Sequence, residues 1–178
     1  MSFAKGFITT ILLYFGLTLV FAVIAGVMAS IPIADVFNTL FSGIEPIAYL
    51  LYSNLAIPTI NLAFSQIVTI FIVRDYLLLV PLLGMILPPA LAAIIGAFVA
   101  KKSGTVKTVF SATFGGLLLC SVIGVILQVI RWPAFGVVLG LSIYPNWEWF
   151  LPAALIMTAF NAFFWSAVGL LLTRKTWD

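Results

Sequence analysis

The sequence predicts an all-α integral membrane protein that forms a single domain of 178 residues. Hydrophobic residues make up 64% of the chain and charged residues only 7%, whereas about 25% of the residues in soluble domains are charged. The mean hydropathy is correspondingly high, at +1.28. The few charged residues also leave five uncharged stretches that are longer than the roughly 20 residues that cross a hydrocarbon core as helix. We therefore expect a bundle of about five membrane-embedded helical segments, with four to six crossings.

The embedded segments are expected where the uncharged runs are longest. The apolar run of the first segment is too long for a cleavable signal peptide, so we expect it to remain as a membrane helix. Aromatic residues gather before the last segment, as they do at membrane interfaces. The five expected segments are 7–30, 46–73, 76–100, 108–130 and 150–173.

Residues 33–44 show a different pattern, that of a short amphipathic helix. Apolar residues recur at helical spacing on one face, and polar residues occupy the opposite face. The apolar positions are Ile33, Val36, Phe37, Leu40, Phe41 and Ile44, and the polar positions are Asp35, Asn38, Thr39 and Ser42. This pattern favours a helix that lies at the membrane interface over a helix that lines a pore.

The segment 46–73 allows several paths through the membrane. Pro58 divides it into two pieces, each short for a complete crossing. The segment forms one Pro-kinked crossing, makes two crossings together with residues 31–45, or returns as a re-entrant hairpin. These alternatives decide on which side of the membrane the N-terminus lies.

The loop 101–107 orients the chain. Lys101, Lys102 and Lys107 are three of only eight basic residues, and short Lys-rich loops stay on the cytoplasmic side. We therefore expect this loop and the C-terminus to be cytoplasmic, in a multi-pass protein of the cell membrane. Lys5 is also cytoplasmic if the chain makes two crossings, or none, between the first segment and the segment 76–100. A single crossing by 46–73 places the N-terminus outside.

Small residues recur at every fourth position in the embedded segments. Such faces let helix backbones approach closely, because packing rather than the hydrophobic effect drives helix association in lipid. Most are expected inside the bundle, and at least one is expected to face another protein. The expected packing positions are Gly84, Ala92, Gly96, Gly116, Gly124 and Ala162. Pro88 and Pro89 predict a kink or a break in their helix.

Six polar residues lie within the embedded segments and must find partners there. Asn54, Asn61 and Ser65 are spaced along one helical face. We expect either a solute-binding pocket or hydrogen bonds between helices. The full candidate set is Asn54, Asn61, Ser65, Gln66, Gln128 and Asn161.

The composition excludes most catalytic and cofactor chemistry. The chain has no histidine and a single cysteine, which removes His-ligated metals, Ser-His and Cys-His nucleophiles and an iron–sulfur cluster held by this chain alone. No basic cluster is large enough to indicate nucleic acid. We expect no enzyme activity, no catalytic residues, no metal and no cofactor.

Two functions therefore stay open. The first is a non-catalytic subunit of a larger membrane complex, which associates through the small-residue helix faces. The second is a capture or transport component for a small apolar or weakly polar solute. In size, hydrophobicity and a cytoplasmic C-terminus, the chain is similar in build to the substrate-capture subunits of energy-coupling-factor transporters.

Overall fold

The computed structural model describes residues 2–28, 32–42, 79–102, 105–130 and 147–174. Nearly all of these residues are helical, and this part of the chain contains no strand, so the predicted helical class is confirmed there. The expected segment 46–73 lies outside the described residues. The helices are α1 (Ser2–Met28), α2 (Ile33–Ser42), α3 (Leu79–Lys101), α4 (Val106–Ile130) and α5 (Trp147–Arg174).

Four of these helices, α1, α3, α4 and α5, are long and apolar enough to cross a membrane. Their outward faces carry large apolar side chains, such as Leu12 at 67% and Ile156 at 69% exposure. A soluble bundle of this size does not leave so much of its apolar surface in water, whereas lipid solvates it. The architecture is compatible with a multi-pass membrane protein.

The helix directions follow from contacts between particular residues. Gly6 near the start of α1 packs against Ala100 near the end of α3, so these two helices run antiparallel. Lys101 at the end of α3 contacts Thr173 near the end of α5, so those two run parallel. The start of α1, the end of α3, the start of α4 and the end of α5 therefore share one end of the bundle.

We call this the lysine end, because it carries Lys5, Lys101, Lys102 and Lys107. α1 finishes and α3 begins at the opposite end. This geometry agrees with the alternative in which Lys5 lies on the same side as the loop 101–107. The path of 46–73 itself lies outside the described residues.

The pair α3–α4 forms the centre of the bundle. Both α1 and α5 pack against both members of this pair, but α1 and α5 make at most marginal contact with each other. They therefore lie on opposite sides of the central pair. The short helix α2 packs on α1 through Val36, which is fully buried, while Ile33 and Phe37 remain exposed. α2 thus leaves part of its apolar face uncovered by the described chain.

α1 contacts the central pair through a ridge in which every fourth residue is buried. These residues are Ser2, Gly6, Thr10, Tyr14, Thr18, Ala22 and Gly26. Thr10 lies between two glycines, Gly96 of α3 and Gly116 of α4. A Cβ atom at Gly116 would stand 2.9 Å from the Thr10 Cβ, and a Cβ atom at Gly96 would meet the Thr10 hydroxyl. The three backbones can approach this closely only because the two facing residues lack side chains.

The threonines on this ridge satisfy their hydroxyls within their own helix. Thr10 donates to the Gly6 carbonyl at 2.8 Å, and Thr18 donates to the Tyr14 carbonyl at 2.7 Å. This bond to the preceding turn removes the cost of burying a free hydroxyl. The ridge therefore packs as though its threonines were apolar.

The helix ends near the lysines are capped. The Thr105 hydroxyl accepts a hydrogen bond from the Thr108 backbone N–H at 3.4 Å, which is the position of an N-cap for α4. The Lys101 ammonium donates to the Thr173 carbonyl at 3.1 Å, a carbonyl of the last turn of α5. A cation at this end also interacts favourably with the α5 dipole.

α3 continues through Pro88 and Pro89. The sequence predicted a kink or a break at this point, and the helix is not broken. Each proline removes one N–H donor and leaves the carbonyl four residues earlier without its helical partner. Both prolines are buried, with Met85 and Ala92 buried on either side. Packing on both sides of the dipeptide can maintain the helix despite two lost backbone bonds.

We predict that Gly96→Leu destabilises the protein, because the leucine must displace Thr10 and separate α1 from α3. Overpacking of this kind costs about 1–3 kcal/mol of unfolding free energy. The measurement is thermal or denaturant unfolding in mild detergent. Gly16→Leu is the matched control, since a Cβ atom at Gly16 meets nothing within 4 Å. Equal stability of the two variants would contradict the close contact.

Candidate functional site

Two of the six predicted polar positions lie in the described residues, and both are interior. The Gln128 side chain is 0% exposed on α4, and Asn161 is 3% exposed on α5. The others, Asn54, Asn61, Ser65 and Gln66, lie outside the described residues.

The structure places Gln128 and Asn161 at different depths. Val109 of α4 and Leu170 of α5 belong to one apolar cluster near the lysine end, and they provide a common starting level. A helix rises about 1.5 Å per residue. Along the bundle, Gln128 therefore lies about 28 Å from Val109 on α4, and Asn161 lies about 14 Å from Leu170 on α5. The two amides therefore do not belong to one binding shell.

Gln128 has a buried amide without a hydrogen-bond partner. Neither its Nε2 nor its Oε1 is paired within the described structure, although the side chain is fully enclosed. It continues the buried face of α4 one turn beyond Gly124. Nearby, Val125 and Val129 pack with residues from the start of α5. A buried polar group left unpaired costs about 1–3 kcal/mol, so this position needs an explanation other than stability.

Trp165 and Ser166 on α5 form a second unpaired group. The Trp165 indole N–H and the Ser166 hydroxyl are buried and have no partner in the part of the chain that the structure describes. Trp165 packs against the central apolar cluster, which includes Ala92 and Leu117. The unpaired N–H is therefore inside the bundle rather than at a lipid-facing edge.

Tyr14 and Ser121 form a paired polar contact between these levels. The Tyr14 hydroxyl is hydrogen-bonded to the Ser121 side chain across the α1–α4 interface. Both residues are 1% exposed. Ser121 lies about 18 Å from the level of Val109, which is between Asn161 and Gln128. Neutral polar groups thus occur at successive depths of the interior.

Sequence reasoning missed Tyr14, Ser121, Trp165 and Ser166 as candidate site residues. An aromatic residue in an apolar span is typical of a lipid-facing position, so Tyr14 and Trp165 gave no polar signal. A signal was present for Tyr14, which is in phase with the buried ridge of α1. Ser166 follows Ala162 by four residues on α5, so the spacing likewise indicated that Ser166 lies on the packing face.

The expected packing positions all lie inside the chain. Gly96 and Gly116 contact α1, and the remaining members are also buried. The buried set comprises Gly84, Ala92, Gly96, Gly116, Gly124 and Ala162. These positions are therefore covered by the protein's own chain.

The chemistry of this interior is uncharged. Its polar groups are amides, hydroxyls and an indole N–H, which donate and accept hydrogen bonds but do not hold a charge. Among the described residues, no group of three His, Cys, Asp or Glu side chains is placed to hold a metal ion. Cys120 is buried beside Tyr14 as a free thiol. The arrangement is suited to binding and orienting a neutral molecule.

A scan against protein-family models finds no match, and comparisons with curated proteins and with solved structures find no significant similarity.

We predict that two conservative substitutions in this interior change stability in opposite directions. Gln128→Leu should raise the unfolding free energy by about 1–3 kcal/mol, because it removes an unpaired amide and keeps a similar volume. Tyr14→Phe should lower it by about 0.6 kcal/mol, the typical value of a hydrogen bond between membrane helices. Denaturant titration of both variants in the same detergent measures the two signs. A destabilised Gln128→Leu would show that the amide is paired.

Proposed function

We propose that this protein is a polytopic membrane protein that binds a small uncharged solute inside its helix bundle, without catalysing a reaction on it. The observation that carries the proposal is the Gln128 amide, buried at 0% exposure with both polar atoms unpaired. Polar side chains inside a membrane are costly, and those that persist usually serve a function. A solute that offers one donor and one acceptor satisfies both atoms at once.

The depth of Gln128 fits uptake from outside the cell. The positive-inside rule makes the lysine end cytoplasmic, and Gln128 is about 28 Å away from the level of Val109. The amide then lies close to the outer boundary of a hydrocarbon core about 30 Å thick. A protein that captures a solute from outside the cell binds it at this outer side of the membrane.

The other interior polar groups favour a transport component over a simple receptor. Tyr14 and Ser121 lie deeper than Gln128, and Trp165 and Ser166 lie within about 6–8 Å of the Leu170 level. A solute that moves toward the lysine end would therefore find new hydrogen-bonding groups at each stage. Pro88 and Pro89 free two backbone carbonyls of the central helix α3, which supply further acceptors.

The alternative hypothesis, a structural subunit of a larger complex, depends on association through small-residue helix faces. In the described helices those faces are buried by the same chain, and Gly96 and Gly116 pack against α1. The remaining support for the alternative is the apolar exterior of the bundle. Lipid covers such a surface as well as a partner protein would. We treat it as the competing outcome of the following experiment.

We predict that the protein purified in mild detergent retains a small neutral molecule, detected by mass spectrometry of the extracted sample. Gln128→Leu should remove that molecule while the helical content remains, because leucine fits an apolar interior. Ser111→Leu is the matched control, since it makes the same kind of change on the exposed side of α4. The control should retain the molecule.

Two results contradict the solute proposal. The first is an unchanged amount of the molecule in the Gln128→Leu sample. The second is a wild-type sample without any small molecule that instead brings other membrane proteins in fixed proportion, as the subunit hypothesis requires.

We predict the orientation from the shared end of Lys5 and the loop 101–107. In a Cys120→Ala background, Ser103→Cys should be protected from an impermeant thiol reagent added to intact cells. Asn38→Cys should be labelled, because Asn38 is exposed on α2 at the opposite end of the bundle. Labelling of Ser103→Cys with protection of Asn38→Cys would reverse the orientation.

A further inference from the structure

We infer that the lysine end is a binding surface for anionic phospholipid headgroups. This inference rests on the membrane setting of the proposed function, but not on the solute. Lys5, Lys102 and Lys107 are exposed and belong to three different parts of the fold, α1, the end of α3 and the start of α4. The fold brings Lys5 to the same end as Lys102 and Lys107, which come much later in the sequence.

The packing below the lysines holds them at one level. Gly6 and Ala100 are in contact, so their sequence neighbours Lys5 and Lys101 begin side by side. Val109, two residues after Lys107, packs in the same cluster as Ala100. The cationic side chains are therefore mounted on a rigid base in which all four long helices take part.

Apolar residues at the same level place this surface at headgroup depth. Phe3 is 45% exposed two residues before Lys5, and Val106 is 49% exposed immediately before Lys107. Exposed apolar side chains next to lysines match the boundary between acyl chains and headgroups, where a lysine stem lies in the apolar region and its ammonium reaches outward. A free anion in solution gains nothing from the apolar neighbours, whereas the acyl chains of a phospholipid contact them. The phospholipid is therefore the favoured occupant.

The charge distribution along the bundle also fits an anionic partner. The described carboxylates are Asp35 in the first turn of α2 and Glu148 in the first turn of α5, both at the end opposite the lysines. Neither of these two carboxylates lies near Lys5, Lys102 or Lys107. Lys101 is committed to the Thr173 carbonyl, so the recruiting charges are Lys5, Lys102 and Lys107.

The test is native mass spectrometry of the full chain in detergent, titrated separately with phosphatidylglycerol and phosphatidylcholine. We expect the unmodified protein to bind phosphatidylglycerol preferentially. Each basic residue near an anionic surface contributes about fivefold in affinity, so the triple variant K5Q/K102Q/K107Q should lose about a hundredfold of that preference. Retention of the preference by the triple variant overturns the inference.

A single pair of variants separates local binding from net charge. Lys102→Gln and Asn38→Asp each lower the net charge by one, but at opposite ends of the bundle. Only Lys102→Gln should weaken phosphatidylglycerol binding, by about fivefold. An equal loss in Asn38→Asp shows a general charge effect and contradicts the assigned surface.

Two further measurements use the unmodified protein, and so do not depend on the folding of any variant. Raising the salt concentration from about 0.05 M to about 0.5 M should reduce the preference, because exposed charges are screened. Insensitivity to salt counts against the inference. Inorganic phosphate at the same concentration as the lipid should not displace phosphatidylglycerol, and displacement would identify a site for free phosphate instead. Solute retention is a separate readout, so its failure leaves this result intact.

Discussion

The close approach of three helices around Thr10 is the constraint on which the rest of the structure depends. In lipid, helices gain little by removing apolar surface from their surroundings, so tight packing must supply the association energy. Gly96 and Gly116 provide the space for this contact from two different helices. The contact fixes α1 against the central pair, and one turn further along it brings Tyr14 to Ser121. The interior polar groups are positioned by this packing rather than by polar attraction.

Much of the fold was predictable because the physical signals are strong and local. The four long uncharged runs that the structure describes are helical as expected, in α1, α3, α4 and α5. The four-residue spacing of small side chains indicated which helix faces are interior. The spacing did not indicate which partners those faces meet. That depends on the arrangement of helices around the α3–α4 pair, which no single segment encodes.

The candidate site was predictable only in part. Amides in apolar spans are conspicuous, and Gln128 and Asn161 were identified from their residue type alone. Their separation in depth was not predictable, because it follows from how α4 and α5 are aligned against each other. Trp165 was missed because a tryptophan in a membrane segment is usually interpreted by its ring. Here its N–H, buried beside the central cluster, is the informative atom.

The ridge on α1 has a consequence for how the protein is made. α1 leaves the ribosome before the two helices that receive its ridge, and it must wait in the bilayer for them. Thr10 and Thr18 tolerate the delay, since their hydroxyls are already bonded to carbonyls of their own helix. Tyr14 depends on Ser121, which is synthesised much later, so its interhelical bond forms only when α4 arrives. The same residue that joins α1 to α4 in the finished bundle therefore marks the step at which α4 docks, before α5 is added.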